Sequence, residues 1–336
     1  MLPLENKDVD NSSPSNSCKK KMVKYVGRDV VRKVCYVLLY YILAVIVAVF
    51  NKFIVGRQHY NFAFPLLMSS ISAFVQAALA ALCLWIIGCL GKTLKKLTLH
   101  QYASAIVPCA IASGLDIGIS NTSLKYVTLS FYTMVKSSAP IFVLTCALVL
   151  GLEKPSISLF LIMAVIASGT LMTVWSETSF QMYGFIMVLS AAMLSGLRWS
   201  LTQLIIEEHS SSTKKLAHSG PLATSLYLAP IAGLLMLIMS AVAEGFGEFF
   251  HSRFMSSLSS IGATLLIFLV SGTLTFLLIL TEYKVVQETS VLTFAISGIL
   301  KEIIMIALSM MIFGDRLIPI NYLGIIISIG GIALYN

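Results

Sequence analysis

The sequence predicts an all-α integral membrane protein with ten transmembrane helices. Hydrophobic residues make up 57% of the 336 positions and charged residues only 11%, whereas soluble domains are about half apolar and a quarter charged. Apolar stretches of about 20 residues, the length that crosses a hydrocarbon layer, recur along the whole chain. The ten predicted spans are 36–55, 65–90, 102–122, 127–150, 157–175, 183–206, 222–243, 261–281, 287–312 and 319–335.

The N-terminal segment 1–33 is predicted to be a disordered, basic cytoplasmic tail. It is polar and contains eight of the 23 lysine and arginine residues. The net charge of +8 therefore reflects membrane topology, and no nucleic-acid partner is expected. No small-residue cleavage site follows the first apolar run, so this run is expected to remain as a membrane span.

The distribution of basic residues predicts that both termini face the cytoplasm. If the tail is cytoplasmic, that side of the membrane carries 15 basic residues and the opposite side carries four in its loops. This bias is the one that the positive-inside rule expects. An even number of spans then returns the C-terminus to the side of the N-terminus.

An internal repeat is predicted from self-similarity within the chain. Gly151–Met172 aligns with Phe313–Leu334 at an offset of 162 residues, and Gly169 falls on Gly331. Because matching helices are five spans apart, an odd number, the halves must have opposite orientations in the membrane. Such inverted repeats place a binding site near the midplane, between the halves. The two predicted five-helix repeats are 36–175 and 183–335.

Ionisable residues inside apolar spans indicate where that site lies. A charge at the bilayer centre costs a few kcal/mol or more, so such groups usually face a cavity or a partner. Lys136 and Lys301 lie about nine and fourteen residues into their spans, which is roughly 14–21 Å deep. Under the repeat offset Lys136 maps onto Gly298, one helical turn before Lys301. The two ammonium groups are therefore predicted to converge.

Together with Arg198, these lysines predict a trap for a phosphorylated anion. Lysine acts as a point charge and arginine offers a bidentate fork, and Asp116 and Glu302 are too few to neutralise all three cations. The alternative is a set of structural ion pairs without a ligand. In that case Lys301 pairs with Glu302 or Asp116, and Lys136 extends to the membrane surface.

Small and hydroxyl-bearing residues complete the predicted site. Tyr132 and Ser297 are predicted to orient phosphate or sugar oxygens, although such hydroxyls more often bond their own helix or a neighbouring one. Gly298 is predicted to permit close approach of a ligand or helix. Interface or packing roles, rather than stacking on a nucleobase, are expected for Trp85, Trp175 and Trp199.

Motifs of enzymes and metal sites are not found in the sequence. The chain has no H-E-x-x-H, G-x-S-x-G or Walker pattern. Its six cysteines form no C-x-x-C pair. A membrane protein that is not an enzyme, and that uses no cofactor or metal, is therefore predicted.

A family resemblance is carried by LDIGISNTSLKYVTLSFYTMVKSSAPIF (Leu115–Phe142), SGLRWSLTQLII (Ser195–Ile206) and SVLTFAISGILKEII (Ser290–Ile304). The chain resembles the nucleotide-sugar transporters of solute carrier family 35, in the branch shared with the triose-phosphate translocators. Within that branch its motif sequences are most similar to those of carriers of the GDP-fucose type. The resemblance implies the drug/metabolite transporter fold and a location in Golgi or ER-Golgi membranes. It further implies exchange of a cytosolic nucleotide sugar for a lumenal nucleoside monophosphate.

The resemblance also implies roles for particular residues. Lys136 and Lys301 correspond to lysines that bind phosphate in the triose-phosphate branch, while Glu302 stands where that branch has an arginine. Two other functions stay open: a carrier of a smaller sugar phosphate, and a membrane factor that promotes glycosylation, such as fucosylation, without transport. A homodimer is also open, since relatives form dimers and nothing in these residues specifies an interface.

Overall fold

A computed structural model describes residues 16–56, 60–88, 102–136, 138–154, 156–175, 181–206, 220–289 and 319–335, and also residues 294, 298, 300–301, 304–305, 307–308 and 310–312. All regular elements in this part of the chain are helices. In chain order they are α1 (Asn16–Val55), α2 (Pro65–Ile86), α3 (Val107–Ser123), α4 (Leu129–Lys136), α5 (Ala139–Val149), α6 (Ile157–Trp175), α7 (Met182–Ile206), α8 (Gly220–Ser240), α9 (Phe246–Phe250), α10 (Leu258–Glu288) and α11 (Pro319–Tyr335). Two π-helical turns, Tyr102–Ile106 and Ala241–Gly245, precede α3 and follow α8.

The helices confirm a multi-pass membrane protein. Within the described residues, seven segments are long and apolar enough to cross a membrane: Val31–Val55, Pro65–Ile86, Tyr102–Ser123, Leu129–Val149, Met182–Ile205, Gly220–Gly245 and Leu258–Glu288. Helices α6 and α11 lie at the predicted fifth and tenth spans. The predicted ninth span is described only in part, so the total of ten spans stays a prediction.

The largest differences from the predicted boundaries lie at the start of α1 and the end of α10. Helix α1 begins at Asn16, so the tail expected to be disordered is helical from that residue onward. A helix that is already nucleated by a membrane span extends at little cost through lysine-rich sequence. Helix α10 continues to Glu288 instead of ending at 281. The polar residues there end the apolar run but not the helix, because no glycine or proline intervenes and Lys284 pairs with Glu288 one turn on, at 3.3 Å.

The predicted fourth span is interrupted beside Lys136, the last residue of α4. Pro140 lies in the first turn of α5, and proline has no N–H to offer the carbonyl group four residues earlier, which belongs to Lys136. The Ser138 hydroxyl donates to the Val135 carbonyl at 2.7 Å and replaces part of the lost bonding. Interrupted helices occur within membranes where they line a cavity or are packed in protein.

Helix packing follows the same pattern in the two predicted halves. Helix α2 packs on α8, and α6 packs on α11. Helix α3 packs on α7, and the equivalent pair under the repeat, α10 and α1, is also in contact. Likewise α10 packs on α2, and the equivalent pair, α3 and α8, is in contact. Exchanging each helix for its counterpart five spans away converts these pairs into one another or into themselves. This is the pattern expected of a five-plus-five inverted repeat; the repeat stays a prediction, which the packing supports.

The start of α2 is held by a carboxylate from the other predicted half. Glu244, in the π-helical turn after α8, accepts hydrogen bonds from the backbone N–H groups of Leu66 at 2.8 Å and Leu67 at 3.0 Å. The Ser240 hydroxyl donates to the same carboxylate at 2.8 Å, and Lys125 lies 3.9 Å away. A carboxylate at a helix N-terminus satisfies free N–H groups and is favoured by the helix dipole. This contact therefore ties α2 to α8 at one end of the bundle.

Candidate functional site

A cavity of about 230 Å³ lies between helices of both predicted halves. It extends from a cluster of buried charges towards the end of the bundle where α1 and α3 finish. Its polar lining consists of Tyr40, Asn51, Asp116, Ser120, Asn121, Tyr132, Thr133, Lys136, Ser195, Arg198, Thr275, Glu282 and Lys301.

Asp116 is the centre of the charge cluster. It lies on α3 and is 3% exposed. Its Oδ1 accepts a hydrogen bond of 2.5 Å from Lys136 Nζ on α4, and its Oδ2 lies 3.4 Å from Arg198 Nη1 on α7. The Ser120 hydroxyl, one turn along α3, accepts from Lys136 Nζ at 3.0 Å and donates to Asp116 at 3.3 Å. One carboxylate thus joins cations from two other helices.

The Arg198 guanidinium connects two acids. Its Nη1 faces Asp116, and its Nη2 lies 3.8 Å from Oε2 of Glu282 on α10. The side chains of Arg198, Asp116 and Glu282 are 12%, 5% and 11% exposed, so water screens these pairs only weakly. The guanidinium also lies 4.4 Å from the centroid of the Trp199 ring, a cation–π contact.

Two glycines let the helices that carry these charges approach closely. At Gly196, two residues before Arg198 on α7, a Cβ would lie 2.5 Å from the backbone carbonyl carbon of Phe142 on α5. At Gly272 on α10, a Cβ would lie 2.5 Å from the Cβ of Val75 on α2. Small residues at helix crossings are the usual device for close packing in membranes. They place the arginine and the second acid deep in the bundle.

Lys301 faces the same cavity from the partly described ninth span. It lines the cavity wall and acts electrostatically on the carboxylate of Glu282. Its Nζ lies 5.5 Å from the centroid of the Tyr40 ring, within the range of a cation–π contact. Lys136 and Lys301, from opposite predicted halves, therefore line one cavity.

Three aromatic residues form a wall beside the charges. Ring centroids are 5.1 Å apart for Tyr40 and Phe294, and 4.6 Å apart for Trp199 and Phe294. All three residues are buried, yet they line both the central cavity and an adjoining cavity of about 80 Å³. Trp199 thus packs in the core, as expected from the sequence, and also borders the space open to a ligand.

The structure brings most of the predicted site residues together. The central cavity is lined by Asp116, Tyr132, Lys136, Arg198 and Lys301. Gly298 lines the adjoining cavity, where a Cβ would lie 3.9 Å from the Tyr40 hydroxyl. Ser297 and Glu302 lie outside the described residues. In the alternative arrangement Lys136 extends to the membrane surface; in the structure it instead pairs with Asp116.

Glu282 is a charged residue of the site that sequence reasoning missed. The predicted eighth span ends at 281, so this acid is assigned to a loop, whereas α10 continues to Glu288. The internal repeat predicts that Glu282 lies near the site. Under the offset of 162 residues Glu282 maps onto Ser120, one turn from Asp116, so each predicted half carries one buried acid at a related position.

The charge balance of the cavity favours an anionic ligand. Lys136, Arg198 and Lys301 outnumber Asp116 and Glu282 by one positive charge among the described residues. Buried cations are strong donors to phosphate and carboxylate oxygens. The same geometry also means that the acids already engage two of these cations. An anion that binds here must compete with them.

Comparisons with known proteins show the family and the fold to which the chain is similar. The model of the Triose-phosphate Transporter family matches residues 31–336. At1g06470 of Arabidopsis thaliana, provisionally named a sugar phosphate/phosphate translocator, is 32% identical across 92% of this chain and 73% of its own length. YMD8 of Saccharomyces cerevisiae, provisionally named a nucleotide-sugar transporter, is 28% identical across 69% of this chain and 66% of its own length. A solved crystal structure covers 92% of this chain and 96% of its own with a TM-score of 0.58 and 13% identity, which concerns the fold alone.

Proposed function

Because the chain belongs to the triose-phosphate transporter family, we propose that it is an antiporter that exchanges a nucleotide sugar of the GDP-fucose type for a nucleoside monophosphate. The observation that carries this proposal is that three half-buried cations and an aromatic wall line one cavity. The cations supply a site for phosphate, and the aromatic wall supplies a surface for a flat ring. A nucleotide sugar and a nucleoside monophosphate have both parts.

The phosphate groups bind to Lys136, Arg198 and Lys301 in this proposal. The two lysines act as point charges that attract any phosphate oxygen, while the guanidinium can donate two parallel hydrogen bonds to one phosphate. Tyr132 contributes a hydroxyl from the turn before Lys136. The side chains of Lys136 and Arg198 are 15% and 12% exposed, so little water competes for their contacts.

The base is proposed to lie against Tyr40, Trp199 and Phe294. Stacking of a base on an aromatic side chain contributes about 1–3 kcal/mol and tolerates every base. These rings adjoin the cations, because Arg198 and Lys301 both lie over ring faces of the same wall. A phosphate held by the cations therefore brings its nucleoside next to the rings.

Exchange is proposed to follow alternating access between the two halves. With both termini in the cytoplasm, α1 and α3 finish on the lumenal side, so the cavity extends towards the lumen. The membranes proposed are those of the Golgi or of the ER-Golgi intermediate compartment. Cytosolic nucleotide sugar then enters and lumenal nucleoside monophosphate leaves through the same site.

A smaller sugar phosphate exchanged for phosphate is the second candidate. Two observations favour it: the 32% identical relative carries that provisional name, and the cavity of about 230 Å³ is below the roughly 300–1,000 Å³ that encloses a drug-sized ligand. The cations that would bind it are the same. The two candidates differ only in what the aromatic wall contacts.

Exchange in proteoliposomes tests both candidates. Liposomes containing the purified chain are preloaded with GMP and offered labelled GDP-fucose; a second set is preloaded with inorganic phosphate and offered a labelled triose phosphate. Lys136→Ala and Lys301→Ala are compared with Lys284→Ala, a lysine on α10 that does not line the cavity and pairs with Glu288. The proposal expects GDP-fucose uptake that requires internal GMP and that is lost in the first two variants only.

Other outcomes decide against the nucleotide sugar. Exchange confined to triose phosphate and phosphate would establish the second candidate. No exchange in either set, with protein whose thermal unfolding is cooperative, would overturn both candidates and favour the non-transporting factor.

A further inference from the structure

Two acids already pair with the cations that a phosphate requires. Lys136 Nζ already donates to Asp116 at 2.5 Å, and the Arg198 fork is divided between Asp116 at 3.4 Å and Glu282 at 3.8 Å. These are the cations that the proposed function assigns to the substrate. A phosphate can use them fully only if the carboxylates give way.

We infer that Asp116 and Glu282 are resident competitors of the substrate: they hold Lys136 and Arg198 until a phosphate displaces them, and so limit affinity and promote release. The inference rests on the proposed function, because it concerns the same cations. It assigns to Glu282 a positioning role that acts through Arg198.

Release is the step that such competitors assist. An exchanger has to release each anion on the opposite side of the membrane. Binding that is too tight slows this release without accelerating the exchange. Three weakly screened cations would hold a phosphate strongly in a site of low exposure. The carboxylates pair with Lys136 and Arg198 again as the phosphate leaves, so these two cations are not left without a counter-charge.

One of the two acids, Asp116, also joins the two predicted halves. Asp116 belongs to the first half and contacts Arg198 of the second, while Glu282 lies in the second half near Lys301. Contacts of this kind can be exchanged as the halves move against each other. Competition between substrate and carboxylates is therefore located where the alternation occurs.

The test is the dependence of the exchange rate on substrate concentration in Glu282→Gln. Glutamine keeps the size of the side chain and removes the charge, and Glu288→Gln is the matched control on the same helix, in an ion pair with Arg32 at the cytoplasmic end. KM of Glu282→Gln should fall roughly tenfold, because the substrate no longer has to displace a weakly screened ion pair between Glu282 and Arg198. The maximal rate should fall as well, because release is slower.

The conservative variant and a second site separate this role from a structural one. Glu282→Asp keeps the charge and should retain a KM near that of the unchanged protein. If Glu282→Gln does not fold, as judged by thermal unfolding, Asp116→Asn is measured in its place and should show the same fall in KM. A mere loss of support for Arg198 would instead raise KM.

The outcomes are distinguishable from failure of the proposed function. Exchange by the unchanged protein, together with a KM for Glu282→Gln that is unchanged or raised, would overturn the inference and leave the proposed function standing. Absence of exchange in the unchanged protein would overturn the proposed function, and the inference that rests on it would fall with it.

Discussion

The carboxylate of Asp116 lies 3.4 Å from the guanidinium of Arg198, although the two residues belong to different predicted repeats. This contact places the arginine fork in the centre of the cavity, where its second arm reaches Glu282. In the proposed function Arg198 binds phosphate, and its contact with Asp116 links the two predicted halves. The contact makes Arg198 the most informative residue to alter.

Arg198→Lys should weaken binding of a nucleoside monophosphate. Lysine keeps one positive charge but cannot donate two parallel hydrogen bonds, and it cannot span Asp116 and Glu282. The loss of one charge-assisted bond of about 1.5–3 kcal/mol predicts a reduction in affinity of roughly 10- to 100-fold. The measurement is the GMP concentration needed to raise the melting temperature of the purified protein. An affinity equal to that of the unchanged protein would show that Arg198 does not contact the ligand.

Trp199→Leu should discriminate between a nucleotide and a small phosphate. Removal of the indole takes away a stacking surface, so inhibition of exchange by GMP should weaken by about 1–3 kcal/mol, while inhibition by inorganic phosphate should change little. Trp85→Leu is the matched control, because Trp85 is 69% exposed on α2. Equal weakening of both inhibitors in Trp199→Leu would indicate a packing defect and no base at this wall.

Gly196→Ala should destabilise the bundle. The added Cβ meets the Phe142 backbone at 2.5 Å, which cannot move aside as a flexible side chain would, so α5 and α7 must separate. Overpacking of this kind costs about 1–3 kcal/mol and should lower the melting temperature in detergent. Gly262→Ala, where nothing lies within 4 Å of the added atom, should melt at or above the original temperature. Similar melting of the two variants would contradict the close crossing of α5 and α7.

Epitope tags at the two ends should be accessible from the same side of the membrane. Ten spans are an even number, and the basic residues concentrate on the side of the N-terminal tail. The measurement is antibody binding to each tag after permeabilisation of the plasma membrane alone, with a lumenal marker protein as the control. Detection of one tag only would require an odd number of spans and would exclude the five-plus-five arrangement.

Several features of the site were predictable because they are local properties of the chain. Lys136, Arg198 and Asp116 stand out in the sequence since each interrupts an apolar span, and the cost of burying a charge in lipid depends mainly on residue type and depth. The break beside Lys136 follows similarly from Pro140. The apolar run before Glu282 ends at 281 and so predicts the end of a helix there, whereas α10 continues to Glu288.

Hydropathy and charge alone predict the membrane class, the approximate spans and the cations that lie inside them, because each acts residue by residue against the bilayer. Which of these charges meet depends on tertiary packing. Asp116 binds both Lys136 and Arg198, and Arg198 reaches Glu282, because helix rotation and close crossings such as that at Gly196 set the distances. These distances depend on packing between segments that are far apart in the chain. The energy of an ion pair changes steeply over a few ångström, so no local sequence pattern encodes which pairs form.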